Sequence, residues 1–353
     1  MKVINLSIYK ELDLSFYLGL EKYIINKEDN DDYFFIWNIN KSIIIGINQL
    51  LDSEINVNKA QELGYKIYRR PSGGGAIVAD TGCFMFTFIT KHKTKDEMYQ
   101  EYLSLVASVI KKLGANVNLS GRNDLLFMDK KFSGNSIYYK NNKTILHGTF
   151  LFDSNLDDIE SILKINDLKL ASHGIESFRS RVINLKDYLS IKDKYQLIDY
   201  INNNISSDLD FVYLNSDELD IINKYKNEFE DVNFIYKKNP PFTYHNKIKV
   251  KSGIIEVYID VKRNIVNSFK LIGDFFNIKE IEILENKFIG INYSDIIKEV
   301  KNIDVSNYID NMTNEEFCNL LGGWKWKNYK ERKQFFMISI WSLMQRSLNL
   351  VDS

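Results

Sequence analysis

Two arginines, a serine and three consecutive glycines stand together in the stretch RRPSGGGAIVADTG, residues 69–82. Glycine adopts positive φ angles without a steric penalty, so the backbone N–H groups of residues 73–75 can converge on an anion. Arg69 and Arg70 would add positive charge, and Ser72 would add a hydroxyl donor. This chemistry suits a phosphate, although a glycine-rich hairpin corner without a function would use the same residues.

The stretch differs from the two common nucleotide-binding motifs. A P-loop requires G-x-x-x-x-G-K-[ST] at the start of a helix, whereas these glycines run into a β-like segment. The G-x-G-x-x-G pattern of dinucleotide-binding folds does not match this stretch either. The residues by themselves leave the phosphate site and the functionless corner as open alternatives.

A second polar cluster, GRNDLLFMDKKFSGN, occupies residues 121–135. Asn123 and Asp124 lie in a turn-prone run before a predicted strand, and Lys131 follows at a predicted hairpin turn. Further along, His147 enters an apolar strand. Taken singly, these residues favour ordinary roles: turn chemistry for Asp124, solvated surface for Lys131 and a structural hydrogen bond for His147.

The hydrophobic pattern predicts a mixture of helices and strands that must position these residues. Helical spacing of apolar residues occurs at 15–25, 55–63 and 98–113. Short apolar or aromatic runs predict strands at 33–37, 42–45, 66–68, 83–89, 125–128, 136–139 and 149–152.

Two adjacent prolines, Pro240 and Pro241, predict a domain boundary, because proline ends helices and interior strands. A rigid turn inside one domain is the alternative. Downstream, two strands at 253–261 and 268–272 and two helices at 293–301 and 314–321 predict a small α+β unit. We therefore expect domains at 1–241 and 242–328 and a tail at 329–353. The tail's apolar run is too short to span a bilayer, and a helix that packs on the body is its favoured interpretation.

The composition excludes several classes of protein. The chain has 353 residues, a net charge of −1, 44% hydrophobic and 26% charged residues, as in ordinary soluble proteins and unlike a nucleic-acid-binding protein. We find no signal peptide and no stretch long enough for a membrane-spanning helix, so we expect a cytoplasmic protein without membrane contact. Two distant cysteines, Cys83 and Cys318, fit a reducing compartment, and the four histidines lack metal-ligand spacing.

Six sequence blocks resemble the lipoate–protein ligases and follow the order of the family pattern. They are IIIGINQ (43–49), RRPSGGGA (69–76), GRNDLL (121–126), KKFSGN (130–135), HGTFLF (147–152) and KLASHGIESFRSRVINL (169–185). Each block alone is a weak signal, and it is the shared order that identifies the chain as similar to this family. The small unit after the prolines also fits the accessory domain of the longer ligases.

The resemblance implies a fold and a reaction. The fold is mixed α/β (α+β), with the sheet of the lipoate and biotin ligases flanked by helices and a small C-terminal domain. Lipoate and MgATP would give lipoyl-AMP and pyrophosphate, and the lipoyl group would then pass to a lysine of a carrier domain. The carriers of this family are E2 subunits of 2-oxoacid dehydrogenases and the H protein of glycine cleavage.

The resemblance also implies roles for residues of this chain. Lys131 would be the catalytic lysine that bridges the acyl oxygen and the α-phosphate. Arg179 and Arg181 would belong to a loop that closes over the adenylate, and Asp124 would bind magnesium or ribose. The expected contacts with the nucleotide and substrate are Arg70, Ser72, Gly73, Gly74, Gly75, Ala76, Ile77, Val78, Asn123, Asp124, Lys131 and His147.

The chain departs from the commonest family pattern at three places. Ala79 and Asp80 replace a His-Asp pair, so no histidine can act there. Gly82 and Cys83 replace Gly-Asn, and Tyr138 occupies a position that is often basic. These departures bear on substrate details, such as chain-length preference or the choice of carrier, more than on the class of reaction.

Three rivals stay open on the same fold. An octanoyl or lipoyl transferase would use a cysteine without ATP, and Cys83 is the candidate in the first domain. Its aromatic strand favours an inert buried thiol instead. A biotin ligase has a different order of residues in its glycine loop, and a non-catalytic carrier-binding protein would not need the intact Lys131 and glycines.

Overall fold

The structure is a computed structural model that describes residues 1–322 except 8, 10, 11, 121, 122 and 165–177. The chain forms two compact units. The larger contains residues 1–239 and the short segment Gly273–Ile278, and the smaller contains residues 240–272 and the chain from residue 279 onwards. The predicted tail at 329–353, residues 323–328 and much of the predicted adenylate loop lie outside the described residues.

The strands of the larger unit form two sheets. They are β1 Lys2–Ile4, β2 Tyr33–Trp37, β3 Ser42–Ile45, β4 Lys66–Arg69, β5 Ile77–Ala79, β6 Cys83–Lys91, β7 Asn118–Leu119, β8 Asp124–Phe127, β9 Lys130–Lys140, β10 Lys143–Leu151 and β11 Asp210–Val212. In the described residues the main sheet has the order β11-β1-β2-β6-β10-β9-β8-β7, and a second sheet has the order β4-β3-β5. β1 is parallel to β2 and β11, while β6, β8, β9 and β10 pair antiparallel, so the main sheet is mixed.

The helices of the larger unit flank these sheets. They are α1 Leu14–Ile25, α2 Leu51–Glu54, α3 Val57–Glu62, α4 Lys95–Met98, α5 Ser104–Lys112, α6 Leu156–Ile162, α7 Phe178–Arg181, α8 Lys194–Asn204, α9 Ser216–Phe229 and α10 Val232–Ile235. A π-helical turn, Tyr99–Leu103, joins α4 to α5, and a 3₁₀ turn covers Lys186–Tyr188. None of the described helices has the length and apolar character needed to cross a membrane.

Both faces of the main sheet are buried at its centre, which explains why β2 is wholly apolar and β6 largely so. Along β6, Cys83, Met85 and Ile89 pack into one core together with α1 and the second sheet. The alternate residues Phe84, Phe86 and Phe88 point into the other core, which α5 and α8 cover. This arrangement holds the rim of the sheet, where the polar residues lie, on a rigid support.

The smaller unit is an α+β domain. Its described elements are the strands β12 Tyr244–Val250, β13 Gly253–Lys262 and β14 Ile265–Gly273, and the helices α11 Ile281–Asn286, α12 Ile296–Val300 and α13 Asn314–Leu320. Short 3₁₀ turns cover Tyr293–Asp295 and Val305–Asn307. Three rings, Phe269, Phe288 and Phe317, pack on one another in its core, with centroids 4.6–6.3 Å apart.

The predicted fold class is confirmed, and the predicted elements need small corrections. The strands at 33–37 and 42–45 have the predicted bounds. The predicted helix at 98–113 is two α-helices joined by the π-helical turn, and the strand predicted at 136–139 is part of β9, which begins at Lys130. The hairpin turn before β9 is Met128–Asp129, so Lys131 lies on the strand and not at the turn.

Candidate active site

A cavity of about 600 Å³ lies at the rim of the main sheet of the larger unit. Its walls come from the glycine-rich loop, the β8–β9 hairpin, the end of β10 at Thr149 and Leu151, and α6 and α7. Eight of the predicted site residues line it: Gly75, Ala76, Ile77, Val78, Asn123, Asp124, Lys131 and Arg181. Residues from four separate sequence blocks therefore meet around one space.

Lys131 and Asp124 face each other across the β8–β9 hairpin. The Lys131 ammonium lies 2.8 Å from Asp124 Oδ1, and their side chains are 39% and 26% exposed. Asn123 and Asn135 brace the base of the hairpin, because each side-chain amide donates to the other residue's carbonyl, at 2.6 and 2.7 Å. Asp124 Oδ1 is shielded from solvent and makes no hydrogen bond in the described residues, whereas the Lys131 side chain is part-exposed, so an incoming anion can compete with Asp124 for Lys131.

The charge of Arg70 is directed away from the cavity. Its guanidinium donates to the carbonyls of Ile44, Gly73 and Gly75 at 2.7–3.0 Å and to Ser72 Oγ at 3.0 Å. Burial, and to a smaller degree the neighbouring Arg69, lowers the pKa of Arg70 to about 9. The side chain therefore stays protonated at neutral pH and shapes the glycine-rich loop from beneath.

Arg69 likewise holds neighbouring segments in place by donating hydrogen bonds to their backbone carbonyls. It is completely buried and donates to the carbonyls of Gly46, Gln49 and Ile235 at 2.7–2.8 Å. Gly46 lies so close to the loop that a Cβ atom on it would sit 2.3 Å from the Gly74 carbonyl oxygen. The first sequence block, residues 43–49, is thereby fixed against the glycine-rich loop.

A chain of buried hydrogen bonds continues from Ser72 into the core. Ser72 Oγ lies 2.7 Å from His147 Nε2, and His147 Nδ1 lies 2.9 Å from Glu21 Oε1. Arg70 can only donate to Ser72, so the serine proton is available to His147 Nε2; in that tautomer His147 donates from Nδ1 to Glu21. The Tyr138 hydroxyl also donates to Glu21, at 3.1 Å.

Glu21 is the site-supporting residue that the sequence analysis missed. It is fully buried in α1, among the apolar residues LGLEKYII. A lone acid on the apolar face of a helix requires buried partners, and this was the signal that could have found it. The chain of hydrogen bonds also explains Tyr138: burial, with Glu21, raises the pKa of its hydroxyl, which stays a donor to the carboxylate.

Of the three consecutive glycines, Gly74 adopts a positive φ, +91°. A Cβ atom at Gly74 would also lie 2.9 Å from the Phe276 ring, which belongs to the segment that joins the larger unit. Gly75 is different: a Cβ atom there would meet nothing within 4 Å, and the residue borders the cavity. Gly74 is thus required for its backbone conformation, whereas Gly75 leaves open space beside the cavity.

The two predicted loop arginines have different surroundings. Arg181 borders the cavity, and its Nε, although shielded from solvent, has no hydrogen-bond acceptor among the described residues. Val182 pairs with Lys131 through a parallel bridge, so α7 ends beside the lysine. Arg179 instead forms ion pairs with Asp157 and Glu160 of α6.

One wall of the cavity is apolar. It is formed by Ile77, Val78, Cys83, Leu151, Ile159 and Leu163. Burial raises the pKa of the Cys83 thiol to about 12, so the thiol is protonated at neutral pH. The cavity therefore combines an apolar side with a polar side that carries Lys131, Asp124 and Arg181.

The predicted residues thus fall into three groups. Lys131 and the seven others named above meet at the cavity. Arg70, Ser72, Gly73, Gly74 and His147 lie behind the cavity wall, and Arg179 points to α6. Arg122 and Gly174 of the predicted blocks lie outside the described residues.

Comparison with known proteins assigns this arrangement to a family. Residues 13–202 match the model of the lipoyl protein ligase A/B catalytic domain, and residues 239–321 match the bacterial lipoate protein ligase C-terminus. The lipoate-protein ligase LplJ of Bacillus subtilis is 30% identical over 86% of this chain and 95% of its own length. The chain belongs to the lipoate–protein ligase family.

Further relatives of the ligase agree with this assignment. Lipoate–protein ligase 1 of Staphylococcus aureus is 29% identical over 86% of this chain and 95% of its own length. The crystal structure of P. falciparum LipL1 in complex with lipoate superposes with a TM-score of 0.71 at 21% identity, over 92% of this chain and 97% of that one. A lipoate-protein ligase A structure bound with ATP covers 67% of this chain and 98% of its own, with a TM-score of 0.55 at 17% identity. The solved structures establish the shared fold.

Proposed function

We propose that the ligase activates lipoate with ATP to lipoyl-AMP and transfers the lipoyl group to a lysine of a carrier domain. The observation that supports this most strongly is the cavity itself. It combines a part-exposed ammonium, the backbone segment Gly75–Val78 along one wall and an apolar wall. A fatty-acid carboxylate and a nucleotide phosphate require these three features side by side.

The first half-reaction brings two anions together. The carboxylate oxygen of lipoate attacks the α-phosphorus, and pyrophosphate leaves with the electrons of the broken P–O bond. Lys131, as a compact positive charge, would lie between the carboxylate and the α-phosphate and reduce their repulsion. Such phosphoryl chemistry depends mainly on positioning and electrostatics, so no acid–base pair is required.

Arg181 would assist as a second cation. Its shielded Nε lacks an acceptor in the described part of the chain, and a phosphate oxygen of the adenylate would supply one. The remaining predicted contacts act from behind the wall: Arg70, Ser72 and His147 would hold the loop in the conformation that presents its backbone to the nucleotide.

Magnesium would enter with ATP as a co-substrate. The carboxylates of Asp124 and Asp129 both border the cavity, and carboxylate oxygens suit Mg²⁺ when phosphate oxygens and water complete its shell. Magnesium binding at Asp124 would release Lys131 from its ion pair at the moment when the substrate phosphates arrive.

The second half-reaction consumes the adenylate. The amine of a carrier lysine attacks the acyl carbon, an amide forms, and AMP leaves. The carriers that we propose are E2 subunits of 2-oxoacid dehydrogenases or the H protein of glycine cleavage, in the cytoplasm. The structural analysis of an archaeal lipoylation system, from Thermoplasma acidophilum, concerns a bipartite lipoate protein ligase and its E2 lipoyl domain, and that pairing supports a lipoyl domain as partner.

Pyrophosphate exchange tests the proposal. Purified protein with MgATP and labelled pyrophosphate should form labelled ATP only when lipoate is added, and mass spectrometry should then show one lipoyl group on a carrier domain. An ATP-independent transferase would modify the carrier from a donor carrier without exchange. A non-catalytic carrier-binding protein would do neither, and either result would overturn the proposal.

A further inference from the structure

The pairing between β8 and β9 contains an irregularity beside Lys131. Lys131 lies opposite Leu126 and Gly134 lies opposite Asp124, with a shift of register between Leu125 and Leu126. Directly opposed residues share a face of a sheet, and Asp124 and Leu126, two residues apart, share a face as well. Lys131 and Gly134 therefore point to the same side, although a regular strand would place residues three apart on opposite sides.

The irregularity has the character of a β-bulge, which adds one residue to a strand and re-aims a side chain. The extra residue lies in the stretch after Lys131, where Phe132 is fully buried in the core of the opposite face. Ser133 pairs with Leu125, which is buried in that same core. The bulge thus lets β9 supply core residues and still direct Lys131 to the cavity.

Gly134 then determines where the Lys131 side chain can go. A Cβ atom on Gly134 would lie 2.6 Å from Lys131 Cε and 2.7 Å from its Nζ, and 3.8 Å from Asp124 Oδ1. The last part of the lysine side chain therefore lies in the space that a Cβ atom at position 134 would occupy. From this position the ammonium reaches Asp124.

The backbone of Gly134 does not itself require glycine. Its φ is outside the left-handed region, and its hydrogen bond with Thr149 uses the backbone N–H, at 3.1 Å. An alanine would keep both features. The first atoms that its methyl group meets belong to the mobile end of one lysine, so the fold can accept the change by moving that lysine.

We propose that Gly134 is a positioning residue for the ligase reaction: by lacking a side chain, it lets Lys131 fold back over β9 to the point where it meets Asp124 and the reacting anions. The proposal rests on the catalytic role of Lys131 proposed above. It also explains why the block KKFSGN has its glycine three residues after the lysine, since the bulge makes that position the neighbour of the lysine side chain.

Chemical labelling tests the geometry without any use of activity. Limited reductive methylation with formaldehyde and cyanoborohydride, read by mass spectrometry, reports how freely the Lys131 amine reacts. Gly134→Ala should raise its rate by about twofold to fivefold, the range expected for loss of an exposed ion pair. Asp124→Asn should raise it similarly, and adding Gly134→Ala to Asp124→Asn should change it little further.

Activity tests the consequence. Gly134→Ala should lower lipoate-dependent pyrophosphate exchange by about 10- to 100-fold, because a displacement of about 1 Å costs up to this factor. Its melting temperature should stay near that of the wild type, and in the Lys131→Ala background it should have no further effect on exchange. The matched control is Gly148→Ala on the neighbouring strand, whose Cβ would lie 2.0 Å from Asn135 Oδ1 and 2.6 Å from the Phe86 ring, and which should lose stability instead.

The outcomes separate this proposal from the proposed function. A wild-type protein without exchange would refute the ligase function, while the labelling would still test the position of Lys131. If Gly134→Ala leaves the labelling rate of Lys131 unchanged, the role of Gly134 is refuted. The role is also refuted if the wild-type protein is active and Gly134→Ala exchanges pyrophosphate at the wild-type rate. A large drop in melting temperature for Gly134→Ala, without a change of labelling in the folded fraction, would also overturn it.

Discussion

The cations on the two sides of the glycine-rich loop differ in what their charges do. Arg69 and Arg70, behind the loop, are buried and donate to fixed carbonyl groups. Lys131, on the cavity side, is 39% exposed and, in the part of the chain that the structure describes, pairs with the carboxylate of Asp124. A buried charge is tolerated only with permanent partners, whereas an exposed ion pair is weak and exchangeable. The two buried arginines therefore stabilise the conformation of the loop, whereas the exposed lysine is available to bind the reacting anions.

Truncation of Arg70 should give the largest loss of stability. Arg70→Met removes the Arg70 donor from the carbonyls of Ile44, Gly73 and Gly75, of which Gly73 still accepts from Ser136 Oγ. An unsatisfied buried carbonyl costs about 1–3 kcal/mol, so we expect the free energy of unfolding to fall by about 2–5 kcal/mol. Urea denaturation measures this directly. A variant of wild-type stability that fails only to bind ATP would show that Arg70 acts on the ligand, and the contrast between the two sides would be wrong.

Substitution of Lys131 should have the opposite effect to substitution of Arg70: activity should fall and stability should hardly change. Lys131→Met and Lys131→Ala should lower lipoate-dependent pyrophosphate exchange by about 10²–10³-fold, since a charge aimed at the reacting anions is lost. Stability should change by no more than about 0.5 kcal/mol, because the side chain is part-exposed. Lys131→Arg should also fail substantially, since a planar fork does not occupy the point of an ammonium. Exchange at the wild-type rate in the alanine variant would contradict the role.

The adjacent glycines Gly74 and Gly75 should show the same contrast between stability and ligand binding, with smaller effects. Gly74→Ala should cost about 1–2 kcal/mol of stability, because its φ is +91° and its Cβ would meet the Phe276 ring. Gly75→Ala should leave stability within about 0.5 kcal/mol and weaken ATP binding, since its methyl group would project into open space beside the cavity. Calorimetry of both variants, with melting curves, decides whether the two effects separate in this way.

The smallest effect is expected at Cys83. Cys83→Ala should retain ligase activity and lose about 1 kcal/mol of stability, since it removes one buried sulfur atom. With a pKa of about 12, the wild-type thiol should resist iodoacetamide at pH 8. A trapped thioester on Cys83, or a folded alanine variant without activity, would favour the transferase mechanism.

Loop closure over the adenylate stays a prediction of the sequence. Hydrogen exchange of residues 169–185, with and without a non-hydrolysable adenylate analogue, tests it, and equal protection in both states would exclude a lid. The described end of this block adds one contrast to that experiment. Arg181 borders the cavity, while Arg179 is paired with Asp157 and Glu160, so protection should rise more at Arg181.

Much of the fold could be predicted from local pattern. The strands at 33–37 and 42–45 were predicted with their observed bounds, because a strand buried on both faces is a short apolar run between polar residues. The turn before β9 was misplaced, because it is made by Met128 and Asp129, at φ of 52° and 58°, without the usual glycine. The spacing of apolar residues did not predict the π-helical turn after Met98.

The order of the motif blocks and the apolar runs can be read from the sequence alone, and they indicate the family, the fold class and the class of chemistry. The tertiary structure decided which charged residues meet the cavity. Arg70 and Lys131 are both cations in motif blocks, yet one lies behind the loop and the other in the cavity. The reason is that sidedness depends on long-range pairing: one extra residue in β9 reverses the face of every residue after it, and no local pattern records that shift.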